Sequence, residues 1–154
     1  MVTPAAVGHE LTFRDVFPLH PSWEAAVDVL AELRPDLTPE RLTAVREEAE
    51  GESLTFTACI HEDDVVGVAG WRVMTTTYAD RKLHVDDLVV SAARRSGGTG
   101  AALIEHLCER GRQLACTVID LDSRVHRFEA HRFYLRERFD IAAHHFVRNL
   151  DQEN

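Results

Sequence analysis

Apolar residues recur along this chain in two periods, and the switches between them mark its elements. Leu11-Thr-Phe-Arg-Asp-Val16 alternates and predicts a short first strand after a flexible lead-in over residues 1–10. From Ser22 the spacing turns helical. Trp23, Val27, Leu30 and Leu33 form one stripe of a helix over residues 23–34, with Ser22 as its N-cap and Pro35 closing it. A second helix has Thr38 as N-cap, Pro39 at its first position, Leu42 and Val45 on the buried side, and Gly51 as its stop. Leu54, Phe56, Ala58 and Ile60 then alternate with Thr55, Thr57 and Cys59, which is a strand. Glu62-Asp-Asp64 turns into residues 65–75, whose nearly continuous apolar run with Gly67 and Gly70 reads as a central strand covered on both faces.

A polar loop around Asp80 leads into a third strand of this meander, residues 82–90, followed by a turn with three glycines and a helix over residues 99–113 carrying Leu103 and Leu107. Another buried strand, 116–121, a helix over 125–138 capped by Asp122 or Ser123, and a last strand over 141–150 complete the chain. The order is β-α-α-β-β-β-α-β-α-β, an α/β (α+β) arrangement in one domain over residues 11–150, with a right-handed parallel crossover at the strand-helix-strand unit around the glycine turn.

That turn, Ser91-Ala-Ala-Arg-Arg-Ser-Gly-Gly-Thr-Gly-Ala-Ala-Leu103, carries the first chemistry. Glycines between a strand and a helix let backbone N–H groups approach a ligand with no Cβ in the way, and the first helical turn leaves amides without partners. With Arg94 and Arg95 at its mouth, the loop outlines an anion site. It is no Walker A loop, which needs Gly-Lys-Ser or Gly-Lys-Thr, and no dinucleotide fingerprint, because Leu103 stands where the third glycine belongs. Arg95-x-x-Gly98-x-Gly100 after a strand does resemble the (Gln/Arg)-x-x-Gly-x-(Gly/Ala) loop of the GCN5-related N-acetyltransferase (GNAT) family, and the element order agrees with that family from residue 11 to 150. The resemblance implies a mixed, mostly antiparallel sheet flanked by helices, with acetyl-CoA as cosubstrate. Its pyrophosphate would lie on Arg95, Ser96, Gly97, Gly98, Thr99, Gly100 and Ala101, and its pantetheine along the backbone of Leu88, Val89 and Val90. Read without the resemblance, the six residues are an ordinary glycine turn.

Leu83-His-Val-Asp-Asp-Leu-Val-Val90 holds two carboxylates inside a segment that otherwise reads as core, so Asp86 and Asp87 must reach a cleft, water or a donor. Period-two alternation puts His84, Asp86 and Leu88 on one face and Val85, Asp87 and Val89 on the other. The segment is similar to the family's acidic pair ahead of the loop. By that resemblance Asp86 helps remove the proton of an amine, often through water, with His84 a second candidate base and Asp87 on the substrate side. The plainer alternative is that both carboxylates pair with nearby arginines or cap backbone groups.

In the helix over 125–138, Phe128 and Leu135 share one face while Ala130, Phe133 and Tyr134 occupy another. Ala130-His-Arg-Phe-Tyr134 looks like the family's Ala-x-x-Phe-Tyr helix, which implies that Tyr134 protonates the departing thiolate. Two positions depart from the pattern: Arg138-Phe139 stands where the family has Gly-Phe, and Arg127 where it often has Asn. Without the resemblance, Phe133 and Tyr134 are a core pair.

Composition narrows the classes further. A net charge of −9, from 26 acidic against 17 basic residues, argues against a nucleic-acid partner and suits a cationic acceptor. No apolar run reaches a membrane span and the N-terminus lacks a signal-peptide pattern, so a cytoplasmic protein without a membrane partner is expected. Cys59, Cys108 and Cys116 have no Cys-x-x-Cys spacing and are expected as reduced thiols. Nine histidines include no His-Glu-x-x-His, and no metal site is expected; no Gly-x-Ser-x-Gly elbow suggests a hydrolase. The expected activity is transfer of an acetyl group from acetyl-CoA to the primary amine of a small molecule or peptide, with a non-catalytic acyl-CoA-binding sensor of the same fold as the alternative. Self-association into a homodimer stays open.

Overall fold

The computed structural model describes residues 10–151, so the lead-in expected over residues 1–10 lies outside the described residues apart from Glu10. These residues form two compact units, one up to Leu121 and one from Asp122. The first unit contains β1 (Leu11–Val16), α1 (Trp23–Ala31), α2 (Pro39–Glu48), β2 (Thr55–His61), β3 (Asp64–Thr76), β4 (Asp80–Val90), α3 (Thr99–Gln113) and β5 (Val118–Leu121). Its strands form one five-stranded sheet in the order β1-β2-β3-β4-β5. The first four are antiparallel neighbours, and β5 joins β4 in parallel. The mixed sheet flanked by helices is the expected architecture.

The sheet is covered on both faces, which explains why β3 has no polar side over most of its length. On one face the α1 stripe of Trp23, Ala26, Val27 and Leu30 packs with Leu42 of α2 against Phe56, Ala58, Val68 and Val89. On the other, Leu103 and Leu107 of α3 pack against Cys59, Val66, Ala69, Trp71, Leu83 and Val85. Leu103 and Leu107 are fully buried, and each contributes on the order of 2 kcal/mol of transfer free energy. Gly67 sets how closely α3 approaches: a Cβ there would sit 2.8 Å from Leu103 Cδ1.

Local signals acted as read at several positions. Thr38 Oγ1 accepts the Arg41 amide at 3.2 Å, Pro39 opens α2, and Gly51 adopts φ 91° just beyond its end. Ser22 precedes α1 as expected, but its side chain makes no capping bond; its amide donates instead to His20 Nδ1 at 3.1 Å.

The second unit contains α4 (Phe128–Arg136), which starts three residues later than expected and has Arg127, not Asp122 or Ser123, at its N-cap. The delay has a local cause. Residues 124–127 close a turn through Arg127 N–H to Arg124 O, and His131 Nε2 donates to the same carbonyl at 2.9 Å. Residues 141–150 form no strand, and Ile141, Phe146, Val147 and Leu150 are exposed. The apolar pattern is there, but a strand exists only with a partner for its backbone groups, and α4 is the only regular element of this unit among the described residues.

Candidate functional site

Beyond Val85 the two sides of β4 differ. Toward β3 the pairing continues through Asp87↔Gly70, Leu88↔Ala69, Val89↔Val68 and Val90↔Gly67. Toward β5 it covers only Lys82↔Val118 to Val85↔Leu121. Residues 86–90 therefore present an edge with no strand partner among the described residues, next to the glycine loop. This edge includes Leu88, Val89 and Val90, and its unpaired amides and carbonyls can bind an extended, amide-containing chain as a neighbouring strand would.

The loop is folded for close approach. A single 3-10 turn, Ala92–Arg94, leads to Ser96 at φ 68° and Gly98 at φ 84°, the N-cap of α3. The first helical bond runs from Ala102 N–H to Gly98 O, so the amides of Thr99, Gly100 and Ala101 precede it and have no helical acceptor. A Cβ built on Gly98 meets nothing within 4 Å; this glycine is required by its backbone angle and fronts open space. The Thr99 side chain is buried with its Cγ2 beside Gly67, which leaves its amide as the group available to a ligand. Glu32, at the end of α1, holds the loop by accepting from Ala92 N–H at 2.9 Å and from Arg95 at 3.3 Å. Arg95 also donates to Val90 O at 3.3 Å and is largely exposed.

One expectation fails in an informative way. Residues of β4 do not alternate strictly, because the β3–β4 register slips between Gly70 and Trp71: Asp87 faces Gly70, Val85 faces Trp71, and Asp86 is the extra residue of a bulge. Alternation resets there. Val85 and Leu88 pack with the α3 layer and Val89 with the α1 layer, so Leu88 does not share a face with His84 and Asp86. Asp87 leaves the face of Val85; its Oδ2 would lie 3.4 Å from a Cβ on Gly70, alongside the Phe56 ring of the α1 layer. The bulge brings both carboxylates to the side of the sheet that carries His84.

The charges there are linked. Arg72, the β3 register partner of His84, donates from Nε to Asp86 Oδ2 at 2.8 Å and reaches Glu52 with its other end. The Asp86 hydrogen bond is the largest influence raising the Arg72 pKa, so that guanidinium stays charged. Arg34, just after α1, grips Asp87 Oδ1 at 2.8 and 3.0 Å. Both arginine pairings follow the plainer alternative, and they leave Asp86 Oδ1 facing His84 Nε2 at 4.0 Å. On the other flank, Asp120 of β5 is the register partner of His84 and lies 2.7 Å from its Nδ1. Lys82 Nζ donates to Asp120 Oδ2 at 2.6 Å and to Tyr78 Oη at 2.7 Å. Burial lowers the Lys82 pKa, but the hydrogen bonds to Asp120 and Tyr78 outweigh it and the ammonium ends up raised. Sequence reading missed Arg34, Arg72, Lys82 and Asp120. The signal for Asp120 was present, since a carboxylate inside the apolar run 116–121 is the same anomaly that marks Asp86.

In the second unit, α4 is apolar on two sides, as its pattern indicates: Phe128 and Leu135 on one side are exposed, while Ala130, Phe133 and Tyr134 on the other are half-buried. The Tyr134 ring packs edge-on to Phe133 at 5.2 Å and Phe139 at 5.7 Å. Burial pushes the phenol above its ordinary value, with the positive charge of Arg127 opposing in part, so the hydroxyl keeps its proton at neutral pH. Arg138 takes φ 67°, the left-handed angle a glycine would adopt, while its amide bonds Leu135 O and the Phe139 amide bonds Tyr134 O. This is a Schellman ending, so the helix stops as a Gly-Phe pair would stop it, with a strained arginine in place of the glycine. Among the described residues no group of three or more His, Cys, Asp or Glu could hold a metal ion, and no helix is long and apolar enough to cross a membrane.

The β4–β5 pairing that stops at Val85 and the glycine-started helix beside it set the arrangement to be matched, and a family model covers it. The model of the Acetyltransferase (GNAT) family matches residues 22–139, and the chain belongs to that family. An uncharacterized N-acetyltransferase of Bacillus subtilis (strain 168) is 26% identical over 113 residues, spanning 73% of this chain and 80% of that protein. The fold is similar to that of an aminoglycoside N-acetyltransferase solved in complex with CoA, at TM-score 0.83 and 13% identity over 98% of this chain and 100% of that one. It is also similar to a Trypanosoma brucei acetyltransferase, at TM-score 0.71 and 24% identity over 93% of this chain and 100% of the other.

Proposed function

We propose that this acetyltransferase moves the acetyl group of acetyl-CoA to a primary amine by direct attack within a ternary complex. The observation that carries the reading is the unpaired 86–90 edge of β4 running into left-handed Gly98 and the three free amides of α3. The pantetheine would lie along Leu88, Val89 and Val90, and the pyrophosphate on the loop from Arg95 to Ala101, where helix-start amides favour negative charge.

An alkyl amine has a pKa of about 10 and arrives as an ammonium, so it must lose a proton before attack. Asp86 and His84 are the groups offered for that step. The nitrogen then adds to the thioester carbonyl, the oxyanion accepts a hydrogen bond from a backbone N–H of the 88–90 edge, and the C–S bond breaks as the N–C bond persists. Tyr134 gives its proton to the departing thiolate and regains one through solvent as the attacking nitrogen sheds its second proton, so that amide, free thiol and neutral tyrosine remain. Because a thiolate is already a fair leaving group, loss of this acid slows transfer on the order of 10²-fold without abolishing it. Asp87, held by Arg34, would lie on the acceptor side with α1, α2 and the loop around residues 75–81, and the negative chain suits a cationic acceptor, either a small amine or a peptide amine.

Calorimetry with acetyl-CoA, followed by amine-dependent thiol release, tests the reading. Tight binding with acetylated product supports it. Binding without product from any amine supports the sensor alternative, and no binding at millimolar acetyl-CoA removes both.

A further inference from the structure

We infer that Asp120 is a positioning residue that makes His84 the proton acceptor for the substrate amine, and that Asp86 binds the ammonium without being the base. The inference rests on the acetyl-transfer reading above and decides between the two bases it leaves open.

The geometry runs in one line across three strands. Asp120 Oδ1 lies 2.7 Å from His84 Nδ1 and can only accept there, so Nδ1 carries the proton and Nε2 of the neutral ring keeps its lone pair. The carboxylate cannot swing away, because Lys82 holds its other oxygen at 2.6 Å and is itself fixed by Tyr78 at 2.7 Å. On the far side, Nε2 faces Asp86 Oδ1 at 4.0 Å. That gap is too long for a direct hydrogen bond, yet one ammonium nitrogen about 2.9 Å from each atom can donate to both. Arg72 binds Asp86 through Oδ2, which leaves Oδ1 toward the gap, where an arriving ammonium meets a carboxylate already held in place. The cation would therefore dock on Asp86 and pass its proton to His84 Nε2, leaving a neutral nucleophile and an imidazolium stabilised by Asp120.

The charged groups facing the imidazole are Lys82 and Asp86 on β4, Arg72 on β3 with Glu52 behind it, and Asp120 on β5; Arg34 and Asp87 lie beyond Asp86. Of these groups Asp120 is the one within hydrogen-bond distance of the ring, at 2.7 Å.

Two measurements test this. Long-range 1H–15N correlation of the neutral His84 ring needs no substrate and should show protonated Nδ1 and bare Nε2; Asp120→Asn should give a mixed or reversed tautomer. A wild-type ring protonated on Nε2 overturns the proposal, and this readout stands even if Asp120→Asn fails to fold. In turnover with a good amine, Asp120→Asn should lower kcat about 10- to 100-fold. KM for acetyl-CoA should stay unchanged. In a His84→Gln background the same change should add less than about twofold, because Asp120 acts through that ring. An equal loss in both backgrounds would make Asp120 merely structural, tied to Lys82. A protein that shows the expected tautomer but acetylates no amine contradicts the acetyl-transfer reading and the base role with it, while leaving the Asp120–His84 pair.

Discussion

Gly98 separates a glycine turn from a phosphate site, because the two make opposite demands on its substitution. At φ 84° an alanine is strained by about 1–2 kcal/mol, partly offset by about 0.5 kcal/mol from a less flexible unfolded chain. No atom lies within 4 Å of the new Cβ, so no steric clash adds to this. Gly98→Ala should therefore lower stability by about 1 kcal/mol, which for a chain of this size is a Tm drop of about 2–4 °C. Gly98→Glu carries the same strain, but its carboxylate sits before the free amides of Thr99, Gly100 and Ala101 and recovers about 0.3–1 kcal/mol from the helix start. The same carboxylate opposes a pyrophosphate. At about 4 Å and a surface-like effective dielectric, one pair of like charges repels by about 4 kcal/mol. If salt removes half, the remaining ~2 kcal/mol is about 30-fold in Kd. Thermal denaturation and calorimetric titration with CoA on both variants give the two numbers. Gly98→Glu should be no less stable than Gly98→Ala and yet bind CoA at least 30-fold more weakly than wild type. A folded Gly98→Glu protein with wild-type CoA affinity would refute the phosphate assignment.

Further outcomes follow from the packing. Gly67→Ala puts a Cβ 2.8 Å from Leu103 Cδ1 and 3.3 Å from Val89 O, and should destabilise by about 1–3 kcal/mol in urea unfolding; Leu103→Ala should relieve most of that in a double-mutant cycle. Arg138→Gly should raise stability by about 0.5–1 kcal/mol, measured the same way, because it removes a left-handed arginine from the end of α4. Burial pushes the Cys59 thiol up to about 11, above its ordinary value near 9. A raised folded pKa contributes stability that is complete below pH 9 and is lost as pH rises toward 11, up to about 3 kcal/mol. Urea midpoints between those pH values should fall, and fall less in Cys59→Ala.

How much the sequence reveals depends on whether a signal is local. Thr38, Pro39 and Gly51 announce α2 because capping and turn chemistry involve only neighbouring residues. The α1 stripe names its own buried face, but the β2 alternation does not, because Thr57 and Cys59 are as buried as Phe56 and Ala58. The bulge at Asp86 was not legible, since the slip belongs to the pairing of β4 with Gly70 and Trp71, and one strand's pattern does not encode its partner's register. The same holds for Asp120. Its side chain stands out in an apolar run, but only the parallel pairing of β4 with β5 sets it against His84 and Lys82. Residues 141–150 show the reverse error, an apolar pattern read as a strand where the described backbone forms none. Arg138 shows that a departure in residue type need not change the backbone, because the Schellman bonds form around an arginine as they would around glycine.

The central claim is met most directly by incubating the protein with acetyl-CoA and a panel of small and peptide amines at several pH values, following free thiol and acetylated amine together by mass spectrometry. The account predicts thiol release that requires an amine and equals the N-acetylated product mole for mole, at least about 10²-fold slower in Tyr134→Phe. Saturable acetyl-CoA binding with no acetylated amine at any pH, or thiol release that is indifferent to the amine, would contradict it.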